Sequence, residues 1–136
     1  MRFSAFKVGV AGVCLLLTLS AAGKPTLMQA APRELAALER GQWVLKDRDT
    51  GVERRICLGD SRQLLRLGHP KAQCARFVVT DAARQVSVTM DCAAAGNERT
   101  DIRIETGRLF QLQSQGIADG APFSMKMEGR RVGACR

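Results

Sequence analysis

Apolar and polar residues alternate in several segments of the second half of the chain. Because side chains of a strand point to opposite faces in turn, this alternation predicts strands with one buried and one hydrated face. Short turns at Gly107 and over residues 119–122 join them as antiparallel neighbours. Three such segments lie between residues 100 and 128, and their apolar members are Ile102, Ile104, Phe110, Leu112, Phe123, Met125 and Met127.

The first half of the chain predicts four further strands and two short helices. The chain is therefore predicted to be mainly β, an antiparallel meander of about seven strands that forms a curved sheet or a small open barrel. Asp60 and Gly68 are the expected start and end signals of the second helix. The further strands cover residues 42–46, 52–58, 74–81 and 85–92, the helices cover 32–40 and 61–67, the turns cover 49–51 and 82–84, and residues 93–98 form a loop.

The first 22 residues have the composition of a cleavable signal peptide. Arg2 and Lys7 form a positive start, residues 8–19 are apolar or small, and residues 20–22 supply the small side chains that a signal peptidase recognises. The apolar stretch is too short to span a bilayer comfortably, and a retained N-terminal anchor is the alternative. We therefore expect a periplasmic or secreted protein with no membrane span after cleavage.

The predicted organisation has three parts: the signal peptide at 1–22, a leader with a short helix at 23–40, and a single disulfide-bonded β domain at 41–136. Cleavage leaves 114 residues of the 136, enough for one domain, which we expect to be monomeric. Without Arg2 and Lys7 the chain has 19 basic and 13 acidic residues, a net charge of +6. This charge favours an anionic or lipid-like ligand, or serves solubility alone. We expect no nucleic-acid partner, because the mature part has few aromatic residues to stack on bases.

Four cysteines remain in the mature part, namely Cys57, Cys74, Cys92 and Cys135. An even number in an exported chain predicts two structural disulfides. The closely spaced pairs of a zinc site or a redox site are absent from the sequence, and the one histidine, His69, has no second ligand nearby in sequence. We therefore expect no metal and no cofactor.

The predicted hairpin of residues 74–92 favours one of the three possible cysteine pairings. If Asp81 pairs with Gln85, Cys74 lies directly opposite Cys92, at the separation that a disulfide needs. Cys57 then bonds Cys135 and ties the end of the chain to an early strand. A turn with one more residue would shift the register and spoil this pairing.

Three short motifs occur in an order that resembles a known family. Residues 38–43 contain a G-x-W opening, residues 55–58 surround the first cysteine, and residues 127–135 end in G-x-R-x-G-x-C. With the two inner cysteines between them, they resemble the bacterial exported family called domain of unknown function family 3617, over essentially the whole mature chain. Arg40 departs from the proline that many members carry there. The resemblance implies a periplasmic β-rich protein, and it implies no catalytic or binding residues because the family's activity is unassigned.

Three functions compete on the sequence alone, and we favour the first. It is a non-enzymatic binding or structural module of the cell envelope, which binds a partner through an edge strand or its basic outer face. The second is an envelope hydrolase that uses His69 with Ser61 and Asp60, although no nucleophile-elbow glycines surround Ser61 and His69 is expected in a loop. The third is a carrier or sensor of an apolar or lipid-like ligand. Its pocket would be lined by residues that otherwise fill the core, namely Trp43, Ile102, Ile104, Phe110, Leu112, Phe123, Met125 and Met127.

Overall fold

The computed structural model describes residues 29–136, so the predicted signal peptide and residues 23–28 of the predicted leader lie outside the described residues. Within this range no helix is long and apolar enough to cross a membrane. The helical elements are three short 3₁₀ helices, η1 (Glu34–Ala37), η2 (Ser61–Arg66) and η3 (Ala93–Ala95). The strands are β1 (Gly41–Asp47), β2 (Glu53–Leu58), β3 (Ala75–Ala82), β4 (Gln85–Asp91), β5 (Gly96–Thr106), β6 (Leu109–Ala118) and β7 (Ala121–Gly133).

The seven strands form one open antiparallel sheet in the order β2-β1-β7-β6-β5-β4-β3, which confirms the predicted fold class. Strands β3 to β7 follow one another as a meander, and the β1-β2 hairpin is added beside β7. The connection from β2 to β3 must therefore pass from one edge of the sheet to the other. This connection, residues 59–74, is called the crossover segment below, and it carries η2.

Two boundaries differ from the sequence-based prediction for reasons visible in the hydrogen bonds. Residues 32–40 form only the four-residue η1, and the carboxylate of Asp81 on β3 accepts hydrogen bonds from the backbone of Arg33 and Glu34 at 2.9 Å each. The prediction of a loop at residues 93–98 is wrong for residues 96–98. There β5 begins at Gly96, because residues 96–98 pair with residues 116–118 of β6.

The hairpin of β3 and β4 has the predicted disulfide but a different turn. Ala83 and Arg84 have φ values of 52° and 61°, so the turn has two residues instead of three, and Ala82 pairs with Gln85. A bulge at Val79 then shifts the register by one residue. The shift restores the predicted alignment at the open end of the hairpin, where the Cα atoms of Cys74 and Cys92 are 4.1 Å apart.

Both predicted disulfides are confirmed, and each secures one edge of the sheet. Cys74–Cys92 closes an 18-residue separation between the edge strand β3 and its neighbour. Cys57–Cys135 closes a 78-residue separation, and it joins the other edge strand, β2, to the chain end that follows β7. An open sheet exposes unpaired backbone groups at its edges, so covalent ties there protect the two strands that have only one neighbour.

The hydrophobic core lies on one face of the sheet, where η1 and η2 cover it. Leu64 and Leu65 of η2 are buried, and Leu35 and Leu38 bring part of the predicted leader into the same core. Of the eight residues predicted to line a pocket or fill the core, Phe123 and Met125 are half-buried. The other six are buried in the core cluster: Trp43, Ile102, Ile104, Phe110, Leu112 and Met127.

Candidate functional site

The crossover segment places the chain's only histidine inside the fold. Near the start of this segment, the carboxylate of Asp60 accepts a hydrogen bond from the backbone of Arg62 and caps η2 as predicted. The 3₁₀ helix η2 ends at Arg66, and the chain then turns into the core at Gly68 and His69. His69 lies in the loop that follows η2, as predicted, but it is buried, with only 5% of its surface exposed.

His69 uses both of its ring nitrogens. Nε2 lies 3.0 Å from the carbonyl oxygen of Ala95 and 2.9 Å from that of Ile117, and it must donate because both oxygens can only accept. Nδ1 lies 3.1 Å from Oε2 of Glu98, which is completely buried on β5. The crossover segment is thus attached to η3, β5 and β6 through one side chain.

Three further groups satisfy the other oxygen of Glu98. The backbone N–H of Gly68 donates to Oε1 at 3.2 Å, and the hydroxyl of Ser114 donates to it at 2.7 Å. The hydroxyl oxygen of Thr100 lies 3.3 Å from Oε1 of Glu98 and 3.0 Å from the hydroxyl oxygen of Ser114. We call His69, Glu98, Thr100 and Ser114 the polar cluster. All four residues are buried.

The hydrogen bonds of the polar cluster favour a protonated histidine. Burial by itself lowers the pKa of His69, but the hydrogen bond to Glu98 and those to the Ala95 and Ile117 carbonyls outweigh this effect. The net pKa of His69 is raised above its ordinary value of 6.5. When the imidazolium of His69 donates to Glu98, the polar atoms of both side chains have hydrogen-bond partners. This is the condition under which a buried ion pair is tolerated.

Phe123 and two glycines pack closely against His69 of the polar cluster. Phe123 approaches His69 edge-on, with ring centroids 5.9 Å apart. A Cβ atom at Gly68 would lie 2.4 Å from the Phe123 ring, so a larger residue at position 68 would displace the ring. Gly96 has φ of 115°, and a Cβ there would lie 1.9 Å from the Ile117 carbonyl that accepts from His69. Both glycines are therefore required by close packing around the histidine.

The residues proposed for hydrolysis are not assembled. The hydrogen-bond partners of the His69 side chain are Glu98, Ala95 and Ile117, and neither Ser61 nor Asp60 is among them. Asp60 instead binds Arg62 through both carboxylate oxygens. Among residues 29–136, no group of three His, Cys, Asp or Glu side chains is placed to hold a metal ion.

A second polar region, unlike the polar cluster, is open to solvent. It is a groove of about 660 Å³ between η2 and the start of β3. Its charged residues are Arg62, Arg66, Arg76 and Asp60. We call it the arginine groove, and its remaining lining consists of Gln63, Gln73, Cys74, Ala75 and Met90. No sequence motif indicated this groove, because its arginines are 4 and 10 residues apart and meet only through the crossover.

Comparisons with known proteins add no further assignment. Searches against protein-family models, curated proteins and solved structures gave no match.

Proposed function

We propose that the protein is an exported, non-enzymatic binding module of the cell envelope. One contrast carries this proposal. The ring nitrogens of the only histidine are both bonded inside the fold, whereas Arg66 and Arg76, which have no ion-pair partner among residues 29–136, line an open groove. Groups that already have partners hold the fold together, and groups without partners are available to a ligand.

The geometry of His69 argues against acid-base catalysis. A general base needs a free lone pair within reach of a substrate proton. Nε2 donates to two carbonyl oxygens, Nδ1 faces Glu98, and the side chain has an exposed fraction of only 3%. A hydrolase built on His69 would have to dismantle the polar cluster before it could bind a substrate.

The apolar residues considered for a lipid-like ligand are engaged in packing. Trp43 and Phe110 have ring centroids 5.2 Å apart, and the Phe110 ring occupies the space where a Cβ of residue 129 would lie. The ligand of the proposed module is therefore sought in the arginine groove and not in the core.

Two features support export. Disulfides persist in oxidising compartments, and both pairs have Cα separations within or close to the range that disulfides adopt, at 5.4 Å and 4.1 Å. The composition of residues 1–22 and the resemblance to the exported family of unassigned activity point the same way.

Native mass spectrometry of the protein made from the full chain in a bacterial host tests this proposal. We expect recovery from the periplasmic fraction, a mature N-terminus near residue 23, a mass gain of four hydrogens on reduction, and a bound molecule released chemically unchanged. The control is the chain without residues 1–22, which should stay in the cytoplasm with reduced cysteines. An uncleaved chain, or a molecule converted with turnover that His69→Gln abolishes, would contradict the proposal.

A further inference from the structure

We propose that the arginine groove binds an oxyanion of the phosphate class, carried on a ligand larger than the phosphate group itself. This inference rests on the proposed binding function and names the chemistry of its ligand. Two observations support the inference: one buried donor has no partner among residues 29–136, and the charges around this donor are mostly positive.

The donor is Nε of Arg76. Arg76 pairs with Met90 across β3 and β4, so its side chain lies on the core face of the sheet, beside a residue that is only 3% exposed. In the described part of the chain its Nε is buried and has no hydrogen-bond partner. Its Nη1 makes only a long bond of 3.4 Å to the carbonyl oxygen of Gln29. A buried cationic donor without an acceptor is costly, and residues 29–136 supply no acceptor for this nitrogen, so the groove is suited to an acceptor carried by a ligand.

The surrounding charges are of the same sign. Arg62 and Arg66 of η2 line the groove opposite Arg76. Burial lowers the pKa of Arg76, and repulsion from Arg62 and Arg66 lowers it further. Within residues 29–136, Arg62 has Asp60 as its ion-pair partner, and no carboxylate lies within 4.0 Å of Arg66 or Arg76. An anion in the groove would relieve the repulsion and satisfy Arg76 at the same time.

The charge count favours phosphate over a single carboxylate. Three guanidinium groups against the one carboxylate of Asp60 leave a formal net charge of +2 in the lining. A phosphate monoester carries about −1.5 to −2 at neutral pH and offers three acceptor oxygens, which match the planar donor fork of arginine. A groove of about 660 Å³ also has room for the body of the ligand, and Gln63 and Gln73 can bond its polar groups.

A purely structural role for Arg76 makes a different prediction. Edge strands often carry an inward-pointing charge that prevents pairing with another sheet, and β3 is an edge strand. In that case Arg76 would need no ligand, and its replacement would promote association of the protein without changing any anion affinity.

Titration calorimetry at low ionic strength with inorganic phosphate, and separately with acetate, tests the proposal on the oxidised protein. Phosphate should bind and should shift the Nε–H signal of Arg76 in nitrogen-edited NMR spectra. Arg76→Gln should weaken the binding about tenfold or more, the loss of a charge-assisted hydrogen bond. The control Arg130→Gln removes the same charge from an exposed side chain of β7 and should change the affinity by less than about twofold.

A second variant keeps the test decisive if Arg76→Gln folds poorly. The double replacement Arg62→Gln and Arg66→Gln alters only η2, and it should also weaken phosphate binding about tenfold or more. Thermal unfolding of each variant separates lost affinity from lost structure. Absence of phosphate binding to the wild type, equal binding of acetate, or affinities unaffected by both sets of replacements would overturn the proposal.

Vesicles distinguish the source of the phosphate. Binding to phosphatidylcholine vesicles only when phosphatidic acid is added would assign the site to a lipid headgroup. Binding of free phosphate with no effect of phosphatidic acid would assign it to a soluble phosphorylated molecule. Either result supports the shared chemistry. If the periplasmic protein instead retains an uncharged molecule, the proposed binding function stands and the phosphate assignment fails.

Discussion

The polar cluster and the arginine groove lie on the same side of the sheet, and the crossover segment contributes to both. In the polar cluster each charge has an opposite partner, and Glu98 accepts hydrogen bonds through both carboxylate oxygens. In the arginine groove, charges of one sign face each other, and a buried Arg76 nitrogen has no partner in the described part of the chain. Removing one partner from the polar cluster should therefore destabilise the fold, whereas the unbalanced charge of the groove is of the kind that a bound anion would offset.

This difference makes opposite predictions for mutations in the two regions. Replacing a residue of the polar cluster should destabilise the fold, since it leaves a buried group uncompensated. Replacing a groove arginine should leave the fold intact and change binding instead. The four predictions below run from the largest expected effect on stability to the smallest.

The replacement His69→Ala should cost about 3–5 kcal/mol of unfolding free energy, because it strands the Glu98 carboxylate without its cationic partner. Urea denaturation followed by circular dichroism measures this loss. The matched control is Glu105→Gln, which breaks the solvent-exposed pair with Arg103 and should cost less than about 1 kcal/mol. A double variant His69→Leu and Glu98→Leu should cost less than the sum of its single replacements, and simple additivity would contradict a paired charge.

The double replacement Cys74→Ser and Cys92→Ser should cost about 3 kcal/mol, the value that loop-closure entropy gives for an 18-residue separation. It should also weaken phosphate binding, because Cys74 lines the groove next to Arg76. Urea denaturation and calorimetry measure the two effects, with mass analysis to verify that Cys57–Cys135 is intact. Unchanged stability would show that the pairing of β3 with β4 holds this edge without the disulfide.

The stability of the wild type should fall as the pH rises above about 6.5, the ordinary value for histidine. Since the folded state raises the pKa of His69, it binds the proton more tightly than the unfolded state does. The resulting stabilisation is complete below the pKa that His69 has in the unfolded state. It is lost as the pH rises through the pKa that His69 has in the folded state. Denaturation between about pH 6 and pH 9 should show this decline in the wild type and not in His69→Gln. A wild-type profile that rises over this range would refute the assigned charge state.

The replacement Arg76→Met should raise the unfolding free energy by about 1 kcal/mol, because it removes both an unsatisfied donor and a repelled charge. Thermal unfolding without phosphate measures this effect. With phosphate present, the wild type should gain stability and the variant should not. A large loss of unfolding free energy without phosphate would mean that Arg76 stabilises the fold. The contrast between the polar cluster and the arginine groove would then be wrong.

The sequence predicted the sheet well because β5, β6 and β7 alternate cleanly, but it predicted local boundaries poorly. In the hairpin of β3 and β4 the turn is one residue shorter than expected, and the bulge at Val79 compensates for it. The cysteines therefore face each other as predicted, although the residues near the turn pair differently. A bulge depends on contacts across strands, and residue order alone does not reveal it.

The polar cluster was missed although part of its signal is present in the sequence. The alternation of Thr100, Ile102 and Ile104 continues backward to Glu98, which places this acid on the buried face of β5. The alternation of Phe110 and Leu112 continues forward to Ser114 in the same way. A charged residue on a buried face requires a partner. That partner, His69, comes from 29 residues away, and only the path of the crossover segment brings it there.

The Cys57–Cys135 disulfide imposes an order of events on biogenesis. In a chain that enters an oxidising compartment N-terminus first, Cys57 arrives early and its partner is the second-last residue. The first thiol to follow Cys57 is that of Cys74, so oxidation in order of arrival would join the wrong pair. Native pairing therefore requires the hairpin of β3 and β4 to engage Cys74 first, or a disulfide isomerase to correct the error afterwards. Where no isomerase acts, the speed of this local hairpin decides whether Cys135 finds the thiol of Cys57 free.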